Sequence, residues 1–172
     1  MFTIVGLTAA AAEKEIAKLA GLLMDAVESG ASVGFMPPLG RSEALEYWRG
    51  VIAAIRERTR VLLVALDAEI VQGSVQIALE TRANGSHRAE VMKLFVDRRA
   101  RRRGIAKALM AEAESTARRL GRTLLVMDTR KGGEAEKMCE RLGYVRYGEI
   151  RNYARSSDGT LHTTVFFYRE LE

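Results

Sequence analysis

The stretch Val91-Met-Lys-Leu-Phe-Val-Asp-Arg-Arg-Ala-Arg-Arg-Arg-Gly-Ile-Ala-Lys-Ala-Leu-Met110 constrains this chain more than any other. Within it Arg101, Gly104 and Ala106 form an RxxGxA turn between an apolar strand pattern and an amphipathic helix pattern. The first turn of a helix leaves amide N–H groups without acceptors, and the helix dipole adds partial positive charge at the same end. Such a turn is a cradle for an anion, a pyrophosphate being well matched to it. Gly104 permits backbone conformations that a side chain blocks, and Ala106 keeps the first helical turn small. The five arginines from Arg98 to Arg103 add positive potential.

The flanks supply the context that a short glycine-containing loop lacks by itself. Val91 to Val96 has the length and hydrophobicity of a buried strand, and Asp97 with the arginines ends it, although periodicity alone does not separate it from a helix. Downstream, Ile105, Leu109, Ala113, Thr116, Ala117 and Leu120 recur at three- and four-residue spacing, with Lys107, Glu112, Glu114, Arg118 and Arg119 between them. The order is strand, loop, helix.

A chain of 172 residues, 48% hydrophobic and 28% charged, suits one globular domain over residues 1–172 and excludes disordered and fibrous classes. No apolar run approaches the ~20 residues that span a bilayer, and Glu13, Lys14 and Glu15 interrupt the amino-terminal apolar stretch. A cytoplasmic protein is expected. A single cysteine, Cys139, rules out an internal disulfide, and with only His87 and His162 besides there is no ligand set for a structural zinc, so no metal is expected. The net charge of +5 calls for an anionic partner or for nothing specific. Nucleic acid fits less well than a phosphorylated coenzyme, because the arginine run opens a helix rather than lying along one and no aromatic residues interleave it for base stacking.

The rest of the chain reads as an α/β alternation. Met1 to Val5 is an opening strand, and Ala9 to Ser29 a helix closed by Gly30. A stiff connection with Pro37-Pro38 leads to a helix from about Ser42, read as its cap. Arg60 to Leu66 and Ile70 to Leu79 form a hairpin, with Gly73 marking a bulge or a packing gap. Asn84-Gly85 reverses the chain into Arg88 to Val96. A helix from about Arg103 to Leu120 leads to a strand over Thr123 to Asp128, which can lie parallel through a right-handed crossover. Glu134 to Leu142 is a short helix, and Tyr144 to Ile150 and Thr163 to Leu171 pair across a turn near Asp158-Gly159.

RxxGxA after such a strand resembles the acetyl-CoA signature of the GNAT N-acetyltransferases, and the similarity runs from about Ala89 through Leu171. Asp128-Thr-Arg, Ala135-Glu136, Gly143-Tyr144, Gly148-Glu-Ile150, Tyr153-Ala154, Asp158-Gly159 and Thr164 to Leu171 are similar to the carboxy-terminal half of small bacterial members like the tabtoxin-resistance acetyltransferase. The resemblance implies a mixed, mostly antiparallel sheet flanked by helices, with strands splayed at the acetyl-CoA site. By the same matching, main-chain groups of Leu94, Phe95 and Val96 hold the pantetheine arm and polarise the thioester. Amides from Arg99 or Arg101 through Arg102, Arg103, Gly104, Ile105 and Ala106 hold the pyrophosphate, and Arg118, Arg119 or Arg122 are either candidates for the ribose phosphate or ordinary surface arginines at a helix end. Small members of the family are often dimers.

The chemistry needs a neutral amine, a polarised carbonyl and a proton for the departing thiolate. Glu90, fourteen residues before Gly104, matches the family's general-base glutamate, the plainer reading being a solvated charge at a strand end. Asp128 sits where open α/β sheets place ligands and can attract or deprotonate an ammonium, or else serve as a turn residue. Cys139 stands where many members carry an acidic tyrosine, four residues before Gly143-Tyr144. A helical cysteine is more often a small buried hydrophobe, and Tyr144, Tyr147 or Tyr153, or else solvent, are the substitutes. The Phe35–Leu39 loop and the Tyr153–Leu161 turn border the acceptor groove in the family layout, while Trp48 fits a core stripe. The expectation is an acetyl-CoA-dependent N-acetyltransferase acting by direct transfer on a small-molecule or peptide amine. Its rivals are an acyl-CoA-binding regulator without turnover and, behind it, a basic nucleic-acid-binding domain.

Overall fold

Helix and strand boundaries follow local chemistry. In the computed structural model, which describes residues 1–172, the Thr8 hydroxyl accepts from the Ala11 amide at 3.2 Å and starts α1 (Ala9–Glu28). The stripe of Ala12, Leu19, Ala20, Leu23, Ala26 and Val27 is its buried face. Helix α2 (Arg41–Arg56) begins after Gly40, whose extended backbone enters the helix with no side-chain cap. Ser42 is therefore inside the first turn and not the cap read from sequence. Trp48 is fully buried on the inner face of α2, as its stripe position requires.

The strands are β1 (Thr3–Gly6), β2 (Arg60–Asp67), β3 (Ile70–Leu79), β4 (Arg88–Val96), β5 (Leu124–Arg130), β6 (Val145–Arg155) and β7 (Leu161–Glu170). They form one sheet in the order β1-β2-β3-β4-β5-β7-β6, antiparallel throughout except for the β4–β5 pair. Helices α3 (Ile105–Arg119) and α4 (Glu134–Arg141) cover one face and α1 with α2 cover part of the other. Strand β2 shows the division residue by residue: Leu63 and Ala65 pack toward α3, whereas Leu62 and Val64 pack toward α1 and α2. The mixed, mostly antiparallel sheet matches the sequence reading. The carboxy-terminal strands are longer than read from sequence, and β7 lies between β5 and β6.

Two bulges shape the centre. Opposite Ala65 and Leu66 of β2, strand β3 carries the extra residue Gln72 beside Gly73. In β4, Lys93 and Leu94 together oppose Val75, because Gln76 faces Met92 and Ser74 faces Phe95. Lys93 takes a left-handed backbone, φ 54°. Beyond Glu90, strand β4 no longer pairs with β5. Only Arg88, Ala89 and Glu90 meet Leu124, Leu125 and Val126. A wedge opens between the two strands from there to the start of α3.

Gly73 holds the two bulged strands together. A Cβ there would lie 3.0 Å from the Phe95 carbonyl oxygen and 3.2 Å from both Ile105 Cγ2 and Val96 Cγ2. Gly73→Val should overpack this contact and lower stability by about 1–3 kcal/mol. Urea unfolding midpoints measure the effect, and an unchanged midpoint would show that the contact yields freely.

Candidate active site

At the head of the wedge, the RxxGxA segment forms a turn stripped of internal acceptors. Asp97 ends β4 and accepts from the Arg99 amide at 2.8 Å, fixing a single helical turn over Arg98–Ala100. Arg102 (φ 63°) and Gly104 (φ 82°) then adopt left-handed conformations, and α3 starts at Ile105, two residues later than read from sequence. Of the backbone amides here, those from Arg101 through Lys107 have no acceptor in the chain, the first α3 amide to find one being Ala108, which donates to the Gly104 carbonyl. A row of free N–H groups at a helix amino terminus is an anion cradle.

The arginine side chains contribute less charge to it than their number suggests. Arg98 is held by Asp25 at 2.5 Å and Glu28 at 3.1 Å, Arg99 by Asp97 at 3.0 Å, and Arg103 by Asp67 at 2.5 Å. Arg101 donates to the Ser29 hydroxyl at 2.6 Å. These contacts tie the turn to α1 and to the β2–β3 hairpin. Arg118, Arg119 and Arg122 lie at the far end of α3, about 20 Å from Gly104 along the helix. There they bind the Glu172 carbonyl, Glu112, and the Glu80 carbonyl respectively. Their distance corrects the suggestion that they reach a coenzyme phosphate.

The wedge is a cleft of about 520 Å³. One wall is Val91–Leu94 and the other Met127–Arg130, with Arg101 and the Gly132–Ala135 segment toward the cradle. The side chains of Leu94 and Val96 pack into the α3 core and Phe95 into the α1–α2 core, and of the three Leu94 lines the cleft. The Ser29–Val33 loop crosses the cleft as a strap held from three sides. Arg101 binds Ser29, Lys93 Nζ donates to the Val33 carbonyl at 2.5 Å, and His162 Nε2 lies 3.4 Å from the Ser32 hydroxyl. The Ser156 hydroxyl steadies His162 at Nδ1, 3.0 Å away. Lys93 and His162 were missed in the sequence. A lysine interrupting the apolar run of β4 was the available signal for the first, and His162 offered none.

Glu90 and Asp128 lie on one face of the sheet, Asp128 in the wall of the cleft and Glu90 where β4 and β5 close. Glu90 pairs with Val126 across the parallel ladder, which sets Asp128 two residues farther along β5 on the same face. Neither carboxylate has a hydrogen-bond or ion-pair partner in the chain. Partial burial raises the proton affinity of Glu90, and the charge of Asp128 raises it further. Asp128 is raised by desolvation too, with Lys93 acting against it. Beside them Gln76 is fully buried, accepting from Arg60 at 2.8 Å and donating to the Tyr47 hydroxyl at 2.8 Å.

Cys139 and Tyr144 lie elsewhere. Cys139 is wholly buried in the α3–α4 core, its sulfur 3.6 Å from Met127 Sδ, and burial pushes the thiol up to about 12. Tyr144 is buried beneath Arg169, and burial followed by the Glu114 carboxylate raises its hydroxyl's proton affinity. Tyr147 and Tyr153 are exposed on β6, their rings against Phe166. No cluster of three or more His, Cys, Asp or Glu side chains is placed to hold a metal ion, and no helix is long and apolar enough to cross a membrane.

Comparison with known proteins bears on the same features. The model of the Acetyltransferase (GNAT) family matches residues 24–144. An uncharacterized N-acetyltransferase from the hisH–hisA intergenic region of Azospirillum brasilense is 32% identical over 109 residues, 62% of this chain and 63% of that one. The match thus spans just under two thirds of that relative. The ribosomal-protein-alanine N-acetyltransferase of Brucella melitensis shares the fold with a TM-score of 0.81 at 22% identity, over 98% of this chain and 99% of that one. So does yncA of Salmonella typhimurium, solved with its cofactor acetyl-CoA, with a TM-score of 0.79 at 17% identity over 99% and 94% of the two chains. The matched segment contains the cradle, both walls of the wedge and both open carboxylates, and the chain belongs to the Acetyltransferase (GNAT) family.

Proposed function

We propose that residues 1–172 form a single transferase domain that moves the acetyl group of acetyl-CoA directly to a primary amine of a small molecule or peptide. The observation that carries this reading is the wedge: free amides on its cradle side, and two unpartnered carboxylates where it closes at Glu90. Acetyl-CoA supplies an activated carbonyl and a thiolate leaving group. The amides of Arg101 through Ala106 hold the pyrophosphate, and the open backbone edge of Leu94–Val96 holds the pantetheine arm. A main-chain N–H there polarises the thioester oxygen.

Asp128 draws the acceptor ammonium to the sheet, and Glu90 takes its proton, directly or through water. The neutral nitrogen then attacks the carbonyl carbon, the C–S bond breaks, and the proton lost from nitrogen balances the one gained by the thiolate. Cys139 has no part in this. Its sealed position and raised proton affinity suit core packing, and solvent at the cleft mouth protonates the thiolate.

Gly104→Val should force a β-branched residue into a left-handed backbone at a cost of about 1–2 kcal/mol. It should weaken acetyl-CoA binding by about ten-fold or more as the loop relaxes away from its amide row. Isothermal titration reads both the loss and its absence; undiminished binding would remove the cradle assignment.

Glu90→Gln should lower kcat by about a hundred-fold or more. The pH profile carries the sign. A base must be deprotonated, so activity falls as pH drops through the raised value of Glu90, placing the acid limb above the ordinary 4.5. Asp128→Asn removes the repelling charge, and the acid limb should move to lower pH while KM for the amine rises. A profile that Asp128→Asn leaves unmoved would dismiss the coupled pair.

A further inference from the structure

A second cavity of about 460 Å³ lies on the open face of the sheet, on the side of Glu90 away from the cradle. Glu80, Arg82, Arg88, Glu90, Val126 and Tyr147 are among its lining residues. Its two ends are oppositely charged. At one end stands Glu90, and Asp128 of the adjoining cleft lies just beyond it, two residues along β5 from Val126, both carboxylates without partners. At the other, Arg82 and Arg88 converge on the single carboxylate of Glu80, Arg82 through Nε at 3.0 Å and Nη2 at 2.6 Å, Arg88 through Nη2 at 2.8 Å. Two guanidinium groups on one carboxylate leave a positive charge uncompensated, and the Arg82 side chain is 73% exposed. Arg122 adds another from behind, donating to the Glu80 and Ser86 carbonyls. Arg88 and Glu90 are two residues apart on one face of β4, about 6.6 Å along the strand, so one small molecule can touch both poles.

Beyond Glu90 the same face is apolar and aromatic. Val126 is in register with Tyr168, and Asp128 with Phe166. The Tyr147 ring lies 6.1 Å from both Phe166 and Tyr168, and Tyr147 is 59% exposed. No helix covers this floor.

We propose that the acceptor is a free amino acid with an apolar side chain, bound as its zwitterion: ammonium at Glu90 and Asp128, carboxylate at Arg82 and Arg88, side chain on Tyr147, Phe166 and Tyr168. The proposal rests on the transferase reading and deepens it. Charge pairing selects this class over the others. A polyamine sets a second cation against Arg82 and Arg88, and a peptide amino terminus brings no carboxylate near its amine, leaving the guanidinium pole without an anion.

The test is turnover of acetyl-CoA with leucine, leucinamide, 3-methylbutylamine and a leucine-initiated tripeptide, together with calorimetric titration of leucine into the protein. Leucine should exceed leucinamide in kcat/KM by at least about ten-fold, as expected when a site built to bind a charged group meets an analogue lacking it. In Arg88→Gln that preference should shrink to within about three-fold, and the leucinamide rate in the same variant reports whether the protein is folded. Equal or better turnover of leucinamide, the amine or the tripeptide would overturn the zwitterion pocket and leave the transferase standing. Leucine binding without turnover of any acceptor would overturn the transferase and leave the pocket. Neither binding nor turnover of leucine, with other amines acetylated, would also refute the pocket.

Discussion

The separation of β4 from β5 is the constraint on which the rest of the structure depends. Its origin is the bulge at Lys93 and Leu94, where two residues face one on β3. An extra residue bends and twists its strand, and the bend here carries β4 away from β5 after Glu90. A left-handed non-glycine backbone costs ~1–2 kcal/mol, and Lys93 is held in it by its bond to the Val33 carbonyl and by the Phe35 ring, 5.8 Å from Nζ. Gly73 on the neighbouring strand removes the Cβ that would strike the displaced Phe95 carbonyl. Two small deviations from regular pairing thus open an exposed backbone edge at the centre of a sheet, where it can bind an extended ligand arm.

The same geometry sorts the charges. Arginines 98, 99 and 103 serve as ties, and the cradle's attraction for an anion comes chiefly from its oriented amides and from α3 behind them. This division has a structural advantage, since ion pairs with Asp25, Asp97 and Asp67 fix the loop while the N–H groups stay free. Where the two strands close, Glu90 and Asp128 keep open carboxylates beside the aromatic floor of β7. Parallel pairing of β4 with β5 for only three residues brings them together before the strands part.

Much of the fold was legible in the sequence. The strand–turn–helix around Gly104, the β2–β3 hairpin, the crossover to a parallel β5 and the bulge hinted at by Gly73 all follow from local pattern, because each is fixed by neighbours in the chain. Elements closed by distant contacts were not. Ser42 looked like a cap, but Gly40 already supplies the extended backbone from which α2 starts. Arg118, Arg119 and Arg122 looked available to a phosphate, yet helix length sets them far from the cradle. Lys93 went unread within the apolar run of β4, because its role as the pin of the strap needs Val33, sixty residues away.

By itself the sequence determined a mixed α/β sheet with an anion cradle at the start of α3, since turn chemistry and hydrophobic period act over a few residues. It also put Glu90 and Asp128 forward as carboxylates worth weighing. Only the tertiary structure decided that they share one face, that Cys139 is sealed in the core, and that Arg82 and Arg88 meet at Glu80 to give the neighbouring cavity a positive end. Those facts depend on strand register, on the bulge that parts β4 from β5 and on burial, all of which are set by residues far apart in the chain.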